Sequence, residues 1–340
     1  MRLDKLRTVA SGLLTAVLMW LLLFAPTPYV LYEPGAALPL DSMIRSAEGK
    51  AGEASGRFLM TTVKMSSANY WRAISSLWNP DTEVYRKTSI MGDDSPEQYM
   101  SRMTVVMQGS EDVAIEAAYR YAGIPYQAVP RRVVVADVSE GSAFRTGDAI
   151  IREGGGSRID SIEALTSIVE KAEGNSLSLI VERNGQEIAV SVKAGAVPSG
   201  QPDEAAALGI ESLVEQRELV PDDSRYKIAI DAGEVGGPSA GLMFALGTLD
   251  VLTEGDLTNG LTVAGTGTIN ARGQVGEIGG VAHKVAAADK AGADLFLAPS
   301  ANAEEAAAKA EAIGTEMRVV GVNTLDEAVQ AIKTFSRSTR

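Results

Sequence analysis

From Thr8 to Tyr32 the chain runs 25 residues without a charge, and this stretch constrains the fold more than any other. Its densest part, Leu13 to Ala25, includes Leu21-Leu22-Leu23-Phe24. About 20 apolar residues in a helix span a bilayer. Arg2, Lys5 and Arg7 precede the run and no basic residue closely follows it, which places the amino terminus in the cytoplasm and everything beyond Tyr32 outside. A cleaved secretory signal competes with a retained single-pass anchor, because Pro26 and Pro28 break the helix near its end. The retained anchor in the cell membrane is the expectation. Either way the rest of the chain is exported beyond the reach of cytosolic nucleotides, so ATP-driven chemistry is not expected.

The chain has 340 residues, enough for two or three domains. It carries no cysteine and a single histidine, His283. Disulfides, thiol nucleophiles, thiolate metal sites and the two-histidine spacings of zinc hydrolases are thereby excluded, and neither a metal nor a cofactor is expected. Nucleophilic chemistry would have to rest on His283, a lysine or a carboxylate. The net charge of −13 argues against nucleic-acid binding. Lys333, Arg337 and Arg340 near the end read as a solvated tail.

After a turn at Glu33-Pro34-Gly35, the stretch from Gly56 to Ser66 alternates as a strand does. Tyr70, Trp71, Ile74, Leu77 and Trp78 stand at helical spacing. Packing inside a small domain is the expectation for these aromatics, with an interfacial collar at the membrane as the alternative. From Ser95 to Tyr121 the sequence reads as helix interrupted near Gly109.

Residues 131–194 differ in texture. They hold a β-branched run at Arg132 to Ala136, a Gly-Ser-Ala turn at Gly141, a helix from Ser161 to Ala172, and strands from Leu177 to Arg183 and Ile188 to Val192 around a hairpin at Asn184-Gly185. This unit resembles a PDZ domain, chiefly in VSEGSAFRTGDAI, the helix and SLSLIVERNGQEIAVSV. The resemblance implies binding of an extended peptide as an added strand beside the helix. Spacing or packing against neighbours is the blander role. Pro198-Ser199-Gly200-Gln201-Pro202 reads as a linker.

The chemistry concentrates in the last third. A strand from Lys227 to Asp231 leads to Gly236-Gly237-Pro238-Ser239-Ala240-Gly241 and an apolar helix from Leu242 to about Leu249. Proline suits the first turn of a helix, so Ser239 is expected at its amino-terminal end, where unpaired amides and the helix dipole favour negative charge. Gly237 and Ala240 are candidates for the oxyanion site and close approach of a substrate backbone. A phosphate loop is the rival, but Pro238 stands where such a loop needs lysine and an amide donor. Downstream, Val281 to Gly292 reads as a helix with Lys284 on the face of Val281, Ala287, Ala288 and Ala291, and with His283 toward the polar side. An amine held against that small apolar face would lose hydration, and a fall of its pKa to near 7 would let it take a proton from a serine. Thr266 could orient it.

Spacing alone does not pair these residues. Residues 208 to 333 resemble the proteolytic domain of the Lon peptidases, in GGPSAG and GTGTINARGQVGEIGGVAHK. The resemblance implies Ser239 as nucleophile, Lys284 as general base and Thr266 as its support. Gly236-Gly237 replaces an acidic-then-glycine pair and Ala282-His283 a charged pair, departures that bear on substrate preference. Nearly the whole chain, SSANYWRAISSLWNP included, resembles the bacterial PDZ-containing Lon-like proteases of the YlbL type. That implies an α+β multidomain protein: a transmembrane anchor (1–34), an intermediate α/β segment (35–130), a PDZ domain (131–197) and a Lon-type proteolytic domain (198–340). It also implies ATP-independent cleavage of extracytoplasmic protein or peptide substrates, with a hexamer possible by the same resemblance. A silent scaffold and an esterase or amidase acting on small molecules are the competing readings.

Overall fold

Alternating apolar residues in three central strands decide where the helices pack. The computed structural model describes residues 2–47, 55–92, 94–139, 141–172, 174–195, 204–233 and 235–338; the linker expected at Pro198 to Pro202 lies outside them. A helix α1 (Arg2–Phe24) leads into strands β1 (Tyr29–Pro39), β2 (Ile44–Ser46) and β3 (Arg57–Ser67). A short helix α2 (Tyr70–Ser75) continues as a 3-10 turn (Ser76–Trp78), followed by β4 (Glu83–Arg86), α3 (Lys87–Met91) and the long α4 (Pro96–Ala122). Next come β5 (Tyr126–Val138), β6 (Ala149–Glu153), α5 (Ile162–Lys171), β7 (Ser176–Arg183), β8 (Gln186–Lys193), α6 (Glu204–Ala207) and β9 (Ile210–Pro221). The remainder is β10 (Ile228–Ile230), α7 (Gly241–Leu252), β11 (Thr262–Gly265), β12 (Thr268–Ile269), β13 (Val275–Gly276), α8 (Val281–Lys290), β14 (Leu295–Pro299), α9 (Ala303–Ile313), β15 (Arg318–Val322) and α10 (Leu325–Ser338).

One mixed sheet has the order β15-β14-β11-β3-β1-β4, parallel from β15 to β3 and antiparallel beyond. Successive side chains of a strand point to opposite faces. Met60, Val263, Leu295 and Leu297 accordingly join α4, α7 and α10 in one core, while Leu59, Ala264, Phe296 and Ala298 join α8 and α9 in another. The strands at 29–39 and 57–67 thus share a sheet with those after 262, and the intermediate segment expected at 35–130 is not a separate layer.

A second sheet, β8-β7-β6-β5-β9, is antiparallel throughout. Asn184 and Gly185, both at positive φ, close the β7–β8 hairpin where the sequence places it. Val133, Val135, Ile150, Leu179 and Val181 pack on Leu165 and Val169 of α5. The edge strand β9 lies beyond residue 198, so the limit expected at 197/198 cuts across this sheet.

Three further expectations are corrected. The turn expected at Glu33-Pro34-Gly35 lies inside β1, where a register shift between Pro34 and Ala37 takes up the irregularity. The long helix α4 passes through Gly109 without interruption. Glycine stands there because a Cβ would come within 2.8 Å of Val214 Cγ1, so its missing side chain lets α4 lie close on β9. The aromatics of the α2 region are not packed inside: Tyr70 is 43% exposed, Trp71 53% and Trp78 78%. At the front, Leu6 to Phe24 form a helix long and apolar enough to cross a membrane, with no part of its apolar window buried.

Candidate active site

The segment carrying Ser239 is fixed from two directions. Pro238 opens a 3-10 turn (Pro238–Ala240) that runs straight into α7, whose residues from Gly241 to Asp250 are all buried. From the other side α4 grips the approach to that turn. Ala232 N–H donates to Glu111 Oε1 at 3.0 Å, Gly237 N–H to the Met103 carbonyl at 2.9 Å, and Ser110 Oγ–H to the Pro238 carbonyl at 3.3 Å. Burial pushes the Glu111 carboxyl up to about 7, so the Ala232 contact is made by a group that is partly neutral near neutrality. Gly237 has φ +92, a conformation that a side chain would strain.

Thr266 and Lys284 reach the same point along other elements. Thr266 follows directly on β11, in the middle of the mixed sheet, and is fully buried. Gly267 N–H donates to the Ser239 carbonyl at 2.8 Å and Leu242 N–H returns a bond to the Gly267 carbonyl at 3.0 Å, so the two segments are laced together. Lys284 stands near the start of α8, which packs on the opposite face of the sheet from α7. Helices on both faces beginning near one strand end bring their first residues together over that end.

There Lys284 Nζ lies 2.7 Å from Ser239 Oγ and 2.8 Å from Thr266 Oγ1. The lysine is 3% exposed and has no carboxylate partner among the described residues. Burial, which penalises the charged amine, lowers its pKa from 10.5 to about 7. The Thr266 hydroxyl donates its single proton to the Ser239 carbonyl at 2.9 Å, so its oxygen can only accept from the lysine N–H. One amine hydrogen is thereby directed at Thr266, and the lone pair of the neutral amine is left for the Ser239 O–H.

The expected oxyanion residues fare differently. Gly237 and Ala240 both line the cavity beside Ser239. The Gly237 amide, however, donates to the Met103 carbonyl in this arrangement. His283 is corrected: it is 3% exposed, not solvent-facing. Its face of α8 is covered by β1 and β4, with the Tyr32 ring edge-on at 6.4 Å and Glu83 Oε2 at 3.4 Å from Nε2.

Sequence reasoning missed the walls. A cavity of about 510 Å³ opens over Ser239 and Lys284. Met60 and Met65 of β3, Met100, Met103 and Met107 of α4, and the rings of Tyr32 and Tyr99 line it. Met100, Met103 and Met107 recur at steps of three and four, the spacing of one helix face, and that signal was present in the sequence. Unbranched, polarisable methionine side chains adapt to irregular apolar groups.

Residues 215–334 match the family model of the Lon protease (S16) C-terminal proteolytic domain, and Ser239, Thr266 and Lys284 all fall inside that range. The chain is 31% identical over 132 residues to a Lon protease of Trichlorobacter lovleyi, covering 37% of this chain and 16% of the relative. It is 38% identical over 107 residues to a Lon protease of Roseiflexus castenholzii, covering 31% and 13%. A longer match, 25% over 187 residues, joins it to Lon protease 2 of Bacillus subtilis, covering 55% and 32%. The chain therefore spans less than a fifth of the length of the first two relatives, and the cavity walls contributed by residues 32–107 lie outside the matched family range.

Proposed function

We propose that this chain is a membrane-anchored serine endopeptidase in which Lys284 deprotonates Ser239 for attack on a peptide carbonyl. The observation that carries the reading is the buried Lys284 amine at 2.7 Å from Ser239 Oγ, with its pKa lowered to about 7. Ser239 Oγ bonds to the carbonyl carbon, its proton passes to Lys284 Nζ, and the protonated amine returns it to the leaving nitrogen as the C–N bond breaks. Water then attacks the acyl-enzyme, with Lys284 again accepting a proton, and frees the serine. Thr266 positions the amine through both steps.

The similarity of residues 215–334 to the Lon proteolytic domain supports this chemistry. The apolar helix α1 supports a single-pass anchor with the amino terminus in the cytoplasm. A catalytic body outside the cytoplasm has no nucleotide supply, and ATP independence belongs to that reading. The five-stranded sheet with α5 is read as the PDZ unit, presenting flexible extracytoplasmic polypeptides as an added strand. The test incubates the full chain in detergent with a disordered protein and follows products by mass spectrometry. Cleavage by the parent and none by Ser239→Ala is the expected result; equal cleavage by both, or hydrolysis of small esters with no peptide products, refutes the reading.

A further inference from the structure

The α2 region places an apolar face in the open, next to the end of α1. Tyr70, Trp71, Ile74, Leu77 and Trp78 recur at the spacing of one helix face and are all more than two-fifths exposed. The opposite, polar flank is turned to the body, where Arg72 pairs with Glu33 of β1 at 3.0 Å. One side chain couples this element to α1: Asn69 Oδ1 accepts the Arg72 N–H at 2.7 Å, capping α2, while its Nδ2–H donates to the Leu23 carbonyl in the last turn of α1 at 2.8 Å. A second tie, from Thr27 Oγ1–H to the Ala68 carbonyl at 2.7 Å, fixes the same corner.

The length of α1 turns that contact into a depth. The 19 residues from Leu6 to Phe24 rise about 28 Å at 1.5 Å each, against a hydrocarbon core of about 30 Å. Leu23 then sits at the outer boundary of the core, and α2, bonded to it, begins in the headgroup zone. Tryptophan and tyrosine favour that zone because their rings are apolar with a polar edge. A helix lying in the interface turns its apolar face into the acyl boundary and its polar face to water.

We propose that the segment from Tyr70 to Trp78 is a lipid-binding collar that lies in the outer headgroup layer and holds the catalytic body against the membrane. The proposal rests on α1 being a membrane span. The partner is the lipid surface, since the patch is bonded to the end of α1, whose own apolar side chains are exposed; a second copy of the chain covering it is the rival outcome.

The test uses the full chain in vesicles of phosphatidylethanolamine and phosphatidylglycerol with brominated acyl chains. With Trp20→Phe, emission comes from Trp71 and Trp78 only; with Trp71→Phe and Trp78→Phe, from Trp20 only. The collar predicts that Trp71 and Trp78 lose at least half their emission to lipids brominated near the headgroup, and less to lipids brominated near the chain end. Quenched Trp20 with unquenched Trp71 and Trp78 overturns the collar and leaves the anchor standing, whether the unquenched rings are wet or shielded by a second copy. Unquenched Trp20 with quenched Trp71 and Trp78 overturns the anchor and with it the collar as placed here, leaving only a peripheral lipid contact of another kind. No quenching in either chain overturns both.

Discussion

The two walls of the cleft differ in what they demand of the chain. On one side Ser239, Thr266 and Lys284 meet through bonds of 2.7 to 2.9 Å, and all three lie within the range similar to Lon proteases. On the other, Tyr32, Tyr99 and five methionines supply volume and apolarity from a part of the chain outside that range. Proton transfer fails when a donor moves by an ångström, whereas an apolar wall tolerates any side chain of about the right size. The family match accordingly takes in the first wall and leaves out the second.

Substitutions graded across the cleft test that contrast. Lys284→Met should remove the base while keeping the volume, lowering kcat by about 10³- to 10⁴-fold in a peptide-cleavage assay. The same variant should melt at a higher temperature at pH 7. The folded lysine titrates at about 7 against 10.5 unfolded, so between those values the unfolded chain holds a proton that the folded one has shed. Parent stability therefore rises with pH across that window, by on the order of 5 kcal/mol, and is lowest at and below pH 7. The advantage of Lys284→Met measured by calorimetry should shrink toward pH 10; a variant less stable than the parent at every pH would contradict a desolvated amine.

Thr266→Val is the next largest. Loss of the hydrogen bond that directs the amine, about 1.5 to 3 kcal/mol, corresponds to a fall of roughly 10- to 100-fold in kcat with KM little changed. Because Thr266 acts through the lysine, its removal should also displace the pH profile, and an unmoved profile would reduce it to a packing residue. For the parent, only the neutral amine is competent, so kcat/KM should climb with unit slope below about pH 7 and level off above it, leaving about one-tenth of the plateau a pH unit below the midpoint. A profile flat from pH 5 to 9 would exclude Lys284 as the titrating base. The smallest effect is expected on the apolar wall. Met103→Ala should change kcat/KM by about fivefold, mostly in KM, and move preference toward bulkier apolar side chains, read from cleavage-site mapping of one disordered substrate.

What could be read from the sequence follows the range of the interactions. The helix that follows Ser239, the helix bearing Lys284, the hairpin at Asn184-Gly185 and the strand around Phe58 and Met60 rest on local periodicity and turn chemistry, and they stand where the spacing puts them. That Lys284 faces small apolar neighbours was legible from helical geometry; that Ser239 meets it 45 residues away was legible only through resemblance. Long-range pairing was not. Nothing in the local pattern says that β3 lies beside β11, that β9 joins β5, or that α4 spans between the two sheets and grips the Ser239 turn. His283 shows the same limit: its own helix offers a polar flank, and only the arrival of β1 and β4 covers it.

The short connection after α1 has a mechanical consequence. Between Phe24 and Tyr32, whose ring lines the cleft, there are eight residue steps, a reach of at most about 29 Å even if fully extended. Thr27 within it is buried and bonded to Ala68, so the connection is a post and not a leash. If α1 is held in a bilayer, as proposed above, the cleft would not roam: it would work at one altitude, on bonds that pass through a thin shell above the lipid.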